Sequence, residues 1–161
     1  MEEKDCFSIR YDGFRSRKVI DFYLNYCKTV FQGYKGKVHY GLAFNEINSV
    51  LNHLLLSGGI WTPNEKLTLE DKLQAVHHEL VASAATTRVA HEMDQENKIG
   101  CMIASVPYYP ATPNPDDMIK VMLKEQCGYL FTDVQVRGYY PSYIKRWIRE
   151  NSGAYEYQTV S

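Results

Sequence analysis

The pair Asn45-Glu46 has the strongest claim to chemistry in this 161-residue sequence. It closes a run of apolar and small residues, Tyr40-Gly41-Leu42-Ala43-Phe44, and Ile47 and Asn48 follow it. A carboxyl group held at the end of a buried strand is partly withdrawn from water. That raises its pKa and suits it to general acid work. The competing reading is a solvated glutamate that merely begins a loop. A strict pleat would send Asn45 and Glu46 to opposite faces, so both address one site only where the strand ends or bulges.

Other clusters carry less. His77-His78-Glu79 suggests a metal site, but the helical H-E-x-x-H pattern fails because Ala82 stands four residues after His78, and His91-Glu92 fails likewise at Gln95. Histidines on a helix flank are more often hydrogen-bonded packing residues, and no metal or cofactor is expected. Gly33-Tyr34-Lys35-Gly36-Lys37 and Ser57-Gly58-Gly59 lack the spacing and the strand-to-helix setting of a phosphate loop. Arg15, Arg17 and Lys18, like Lys145, Arg146 and Arg149, read most simply as solvated helix faces. The 13 tyrosines with Trp61 and Trp147 could include a sugar-stacking platform, since such rings join an apolar face to a polar tip, though core packing explains most of them equally well.

The elements that must position these groups follow from hydrophobic period. Residues 1–15 read as a leading loop. From Ser16, Val19, Phe22, Tyr23, Tyr26, Val30 and Phe31 recur at helical spacing, and Gly33 and Gly36 end the pattern. Val38, Tyr40, Leu42 and Phe44 then alternate with smaller residues, which predicts a strand covered on both faces. Residues 47–67 form a long connection, a length that is usually functional or disordered. Thr68 and Asp71 form a capping box for a helix to about Asp94. Ile99 to Ala104 is a second strand, followed by a Pro/Tyr-rich loop. Asn114 and Pro115 cap a helix to about Gln126, with Asp116 and Asp117 favourable to its dipole. Phe131 to Tyr140 reads as extended, Pro141 to Arg149 as a last short helix and 150–161 as a frayed tail. A helix between two buried strands is a parallel, right-handed βαβ unit. Function in such folds sits at the carboxyl ends of the strands, here Asn45-Glu46 and Ser105-Val106-Pro107-Tyr108.

Composition bounds the function. Lysine and arginine number 18 against 19 aspartate and glutamate, a formal charge of −1, so neither nucleic acid nor an anionic membrane is an expected partner. With 45% hydrophobic and 23% charged residues the chain is of globular type, and one domain is the default. A closed eight-stranded α/β barrel needs at least about 200 residues, so a barrel signature here would belong to a partial barrel. Cys6, Cys27, Cys101 and Cys127 form no C-x-x-C pair and read as reduced thiols of a cytoplasmic protein. No targeting or membrane-spanning segment is evident.

Residues 38–48, Val-His-Tyr-Gly-Leu-Ala-Phe-Asn-Glu-Ile-Asn, resemble the acid/base strand of glycoside hydrolase family 1, which ends in Thr-Phe-Asn-Glu-Pro or Thr-Phe-Asn-Glu-Ile. The resemblance continues through Gln74 to Ala84, Ile99-Gly100-Cys101-Met102, Tyr109-Pro110-Ala111-Thr112 with Asn114-Pro115-Asp117, and Asp133 to Pro141. Together these blocks cover Gly13 to about Asn151, and they look most like the 6-phospho-β-glucosidase branch. The resemblance implies an α/β fold, a single partial (β/α)8 (TIM) barrel domain over residues 1–161, with the βαβ unit around strands four and five and flanking helices. It implies Glu46 as general acid/base and Asn45 as ligand of the sugar 2-hydroxyl. Ala43 and Gly41 depart from the pattern, where Thr and a bulky aromatic are usual.

A retaining glycosidase needs a second carboxylate about 5–5.5 Å from the first. The family supplies it from a Thr-Glu-Asn-Gly segment on the seventh strand, which these 161 residues do not contain. Glu150-Asn151-Ser152-Gly153 is only a superficial match, because it follows a helical run. The resemblance therefore implies a fragment of a retaining β-glycosidase acting on a β-glucoside or 6-phospho-β-glucoside, inactive or nearly so on its own. A second reading is a non-catalytic α/β module whose open strand edges pair with a second copy or with another barrel piece.

Overall fold

The computed structural model describes residues 7–152. The chain divides into two compact units, the first ending at Ala104 and the second beginning at Ser105.

The first unit is a βαβ unit with a preceding helix. Short helix α1, Phe7–Tyr11, and a 3-10 turn, Gly13–Arg15, occupy part of the stretch expected as a leading loop. Helix α2, Lys18–Gly33, forms where the apolar spacing predicts it and buries Val19, Ile20 and Cys27. Strand β1, Tyr40–Leu42, pairs in parallel with β2, Lys98–Gly100, in the register Gly41 to Ile99. The expected connection 47–67 holds a 3-10 turn, Ile47–Leu51, helix α3, Leu54–Gly58, and a second 3-10 turn, Asn64–Lys66. Helix α4, Leu69–Met93, is the crossover. Its capping box is as expected: Asp71 N–H donates to Thr68 Oγ1 at 3.1 Å, and Thr68 N–H donates back to Asp71 Oδ2 at 3.0 Å.

Helix α4 organises the core because it packs on α2, on the Ile47–Leu51 turn and on β2. Ile47, Val50, Ile60, Val76, Ala75, Ala82 and Ala90 are at most 1% exposed. Each fully buried large aliphatic among them is worth roughly 1.5–3 kcal/mol over its exposed state. The run of small residues on α4 lets neighbouring elements approach closely, and Glu79 and Thr86 are buried with them.

The strands differ from expectation. Both are three residues long, and Tyr40 and Leu42 are 82% and 65% exposed, so β1 is not covered on both faces. The reason is local. Gly41 faces Ile99, whose Cδ1 would lie 3.2 Å from a Cβ at residue 41, and that side is filled. The bulky residues face the other way, where this unit supplies no layer. Ala43 N–H donates to Gly100 O at 2.8 Å in the same register, and the pairing slips only beyond it, where Met102 N–H donates to Phe44 O at 3.1 Å.

The second unit carries helices α5, Pro115–Arg137, and α6, Ser142–Ser152, which pack on each other. Asn114 caps α5 by accepting from Asp116 N–H at 2.9 Å, and Pro115 opens it, as expected. The extended stretch expected over Phe131 to Tyr140 is instead the last turns of α5, which ends at Arg137 with Gly138 in the left-handed region at φ 75°. Gly128 costs such a helix about 1 kcal/mol, and the burial of Leu130 and Phe131 on the next turn more than offsets it. Tyr143 Oη donates to Asp133 Oδ2 at 2.7 Å and ties α6 to α5. Glu150, Asn151 and Ser152 belong to helix α6 rather than to a frayed tail, and Gly153 onward lies outside the described residues.

Candidate active site

Glu46 stands four residues past the end of β1, on a short excursion of the chain. Phe44 and Ile47 both bond to the same residue of the neighbouring segment: Met102 N–H donates to Phe44 O, and Ile47 N–H donates to Met102 O at 3.1 Å. Asn45 and Glu46 therefore stand as two residues opposite one, one more than regular pairing holds, as in a bulge. This meets the condition under which the two side chains can serve one site, because the strict alternation has ended. Asn45 is exposed and Glu46 half-buried.

Glu46 has φ 47° and ψ 51°, the left-handed region, and precedes the Ile47–Leu51 turn. A residue with a Cβ pays about 1–2 kcal/mol for that conformation, and such strain is concentrated at functional sites. Its carboxylate accepts from Ser49 Oγ at 3.3 Å, and its carbonyl accepts from Ser49 N–H at 2.7 Å. The turn is thus closed on itself by one serine.

Below the excursion lies an aromatic floor. Phe44 stacks on Tyr23, with centroids 5.0 Å apart at 26°, and meets the edge of Phe14 at 5.5 Å and 66°. Tyr23 Oη donates to Ala43 O. Burial, followed by the neighbouring Cys27, pushes the Tyr23 phenol up, so it remains a donor at any physiological pH. Helix α2 and the Phe14 turn thereby fix the last residues before Asn45. Beside the departure at Gly41 lies Ile99, whose Cδ1 would be 3.2 Å from a Cβ there.

The histidine pair serves packing at one member. His78 Nδ1 lies 2.7 Å from Phe14 O, which can only accept, so Nδ1 carries the proton and Nε2 accepts from Gln74 Nε2 at 3.0 Å. Burial first, and the charge of Arg17 after it, lower the pKa of His78 against the opposing pull of that carbonyl. Glu79, beside it in sequence, is fully buried, and neither carboxyl oxygen has a hydrogen-bond partner among the described residues. Desolvation pushes its pKa up to about 9.

Arg15 is not the solvated cation expected. Its guanidinium pairs with Asp12 Oδ2 at 2.6 Å and Asp71 Oδ1 at 2.8 Å. Asp12, itself at φ 54°, also accepts from Trp61 N–H at 2.7 Å and Thr62 N–H at 2.8 Å. This hub joins the turn before α2, the loop after α3 and the start of α4, and no spacing rule pointed to it. It leaves the Trp61 side chain 60% exposed. In the second unit, Tyr108 carries Lys124 Nζ 5.1 Å from its ring centroid.

An open hollow of about 590 Å³ is lined by Tyr40, Leu42, Lys98, Ile99, Gly100 and His91 among others, and neither Asn45 nor Glu46 contributes to it. Among the described residues no group of three or more metal-ligating side chains occurs, and no helix is long and apolar enough to cross a membrane.

A sequence model described as "Glycosyl hydrolase family 1" matches residues 9–159. The chain is 48% identical over 145 residues to a 6-phospho-beta-glucosidase of Clostridium longisporum, covering 90% of this chain and 31% of that protein. It is 44% identical over 142 residues to the aryl-phospho-beta-D-glucosidase BglH of Bacillus subtilis, covering 88% and 30%. The chain therefore spans about a third of the length of the curated relatives it matches. Among solved structures, the beta-glucosidase of Exiguobacterium antarcticum superposes with a TM-score of 0.76 at 20% identity, over 92% of this chain and 34% of that one. The family 1 beta-glucosidase of Thermotoga maritima gives 0.71 at 26% identity, over 86% and 31%.

Proposed function

Because the chain belongs to glycosyl hydrolase family 1, we propose that these 161 residues form the acid/base portion of a retaining β-glycosidase that acts on 6-phospho-β-glucosides. In this reading β1 and β2 are strands four and five of a (β/α)8 barrel. Glu46 protonates the glycosidic oxygen as a carboxylate nucleophile attacks the anomeric carbon. It then takes the proton of the water that releases the sugar. Asn45 donates to the 2-hydroxyl, a bond that strengthens as positive charge develops on the ring. The observation that carries the reading is the strained, half-buried Glu46 presented on a two-residue excursion beyond a barrel-type parallel pair. The 6-phosphate preference is supported by the named activities of the relatives at 48% and 44% identity.

The nucleophile in this reading is not among the 161 residues, so they do not complete the two-step reaction alone. The test is release of nitrophenol from p-nitrophenyl 6-phospho-β-glucoside, with the unphosphorylated glucoside and Glu46→Gln as controls. No release is expected. Release that disappears in Glu46→Gln would mean that a second carboxylate is present and the incompleteness is wrong.

One observation favours a second reading, association with another chain or barrel piece. The exposed Tyr40 and Leu42 line an open hollow over a two-stranded sheet whose edges have no further strand among the described residues. A strictly monomeric native mass would count against it.

A further inference from the structure

We propose that Asn48 is a positioning residue for Glu46, a role that rests on the reading of Glu46 as the acid/base group. Asn48 Nδ2 donates to Ala104 O at 2.8 Å, and Ala104 N–H donates to Asn48 Oδ1 at 2.9 Å. One side-chain amide thus satisfies both backbone groups of a residue on the segment that continues β2. Only a group that is donor and acceptor at once, with the reach of a short side chain, can do this. The amide replaces the strand pairing that the chain abandons when it turns into Ile47–Leu51.

Its place in the chain gives the clamp its consequence. Phe44 and Ile47 are tied to Met102 on either side of the excursion, and Asn48 adds a second tie directly after it. Ile47 is buried and anchors the turn below. Glu46 sits between these fixed points in a conformation that its own Cβ disfavours. Strain of this kind persists only where the surroundings over-determine it. Without the amide, the tie at Ile47 is the last on that side, and the excursion can relax so that the Glu46 carboxyl changes its surroundings.

The test uses the full 161-residue chain with 13C at the glutamate side-chain carboxyl, Glu46 being assigned by its loss in Glu46→Gln. In Asn48→Ala the Ala104 amide should exchange about tenfold faster, the worth of one lost hydrogen bond. The side-chain carboxyl resonance of Glu46 should shift in that variant, because its surroundings change. The amides of Val76 and Thr86, buried on α4, should keep their original rates. Asn48→Asp keeps the acceptor, so Ala104 should stay protected there. An unmoved Glu46 carboxyl resonance in Asn48→Ala overturns the proposal even if Ala104 exchanges faster. Equal acceleration at Val76 and Thr86 also overturns it, since the loss would then be of the core as a whole. No turnover enters this experiment, so its failure is distinguishable from a failure of the assignment of Glu46 as acid/base, which is read by hydrolysis.

Discussion

Replacing Glu79 with glutamine should make the chain more stable at neutral and alkaline pH and change little in mild acid. Glu79 is fully buried, its two oxygens have no hydrogen-bond partner among the described residues, and desolvation raises its pKa to about 9 from the ordinary 4.5. Below about pH 4.5 the group is protonated whether the chain is folded or not, and it carries no ionisation penalty. Between 4.5 and about 9 the unfolded chain has released the proton and the folded chain has not. Folding then takes up a proton, and stability falls by about 1.4 kcal/mol per pH unit. Stability present below pH 4.5 is therefore lost as the pH rises toward 9. At pH 7 the accumulated cost is roughly 3–4 kcal/mol as an upper bound. Glutamine abolishes the titration, although its amide also lacks a partner, so the diagnostic quantity is the pH dependence rather than the offset. Urea unfolding followed by far-ultraviolet circular dichroism at pH 5 and pH 8 should show the advantage of Glu79→Gln growing by up to about 4 kcal/mol across that interval. Stability curves that run parallel for the two chains would refute the reasoning and mean that the carboxyl ionises at no special cost.

The Asp12 hub predicts that Asp12→Ala lowers stability by about 2–3 kcal/mol, since Arg15, Trp61 and Thr62 all lose an acceptor; the urea midpoint reads this. Although burial acts to raise the Asp12 pKa, the bonds from Thr62, Arg15 and Trp61 outweigh it and hold the carboxyl below the usual range. Its contribution should accordingly be present at neutral pH and lost as the pH falls below about 4. Gly13→Ala should cost at least about 3 kcal/mol, since φ is 58° and the new Cβ would lie 2.1 Å from Gly58 O; a thermal melt checks it. Thr68→Ala should cost about 1 kcal/mol by opening the capping box of α4, measured in the same way.

Helices α2 and α4 and the beginning of α5 were legible because their signals are local: apolar spacing, the Thr68 and Asp71 pair, and Asn114 before Pro115. The end of α5 was not. Val134 and Val136 favour extended backbone, whereas the segment is helical with Leu130 and Phe131 buried on it, a tertiary effect that the local pattern does not carry. The length and coverage of β1 escaped for a related reason, since its alternation describes a strand with layers on both sides and one side stands open. Asn45 and Glu46 could be singled out by their place after an apolar run and by family resemblance. That they lie on a two-residue excursion depends on bonds to Met102, more than fifty residues away, which no local pattern encodes. The same holds for Asn48 with Ala104 and for Arg15 with Asp71. Glu79 was hidden by its neighbours, because next to His77 and His78 a glutamate draws a metal reading, whereas its burial is set by the packing of α3 and the Ile47–Leu51 turn on α4.

The most direct test of Glu46 as the acid/base group places this chain in a working barrel. The matched third of the Clostridium longisporum 6-phospho-beta-glucosidase is replaced by these residues, and hydrolysis of phosphorylated β-glucosides with good and poor leaving groups is measured with and without Glu46→Gln. The account predicts an active chimera in which Glu46→Gln slows the poor leaving group by about 10²–10⁴-fold and the good one much less. An active chimera that Glu46→Gln leaves unchanged on both substrates would contradict it.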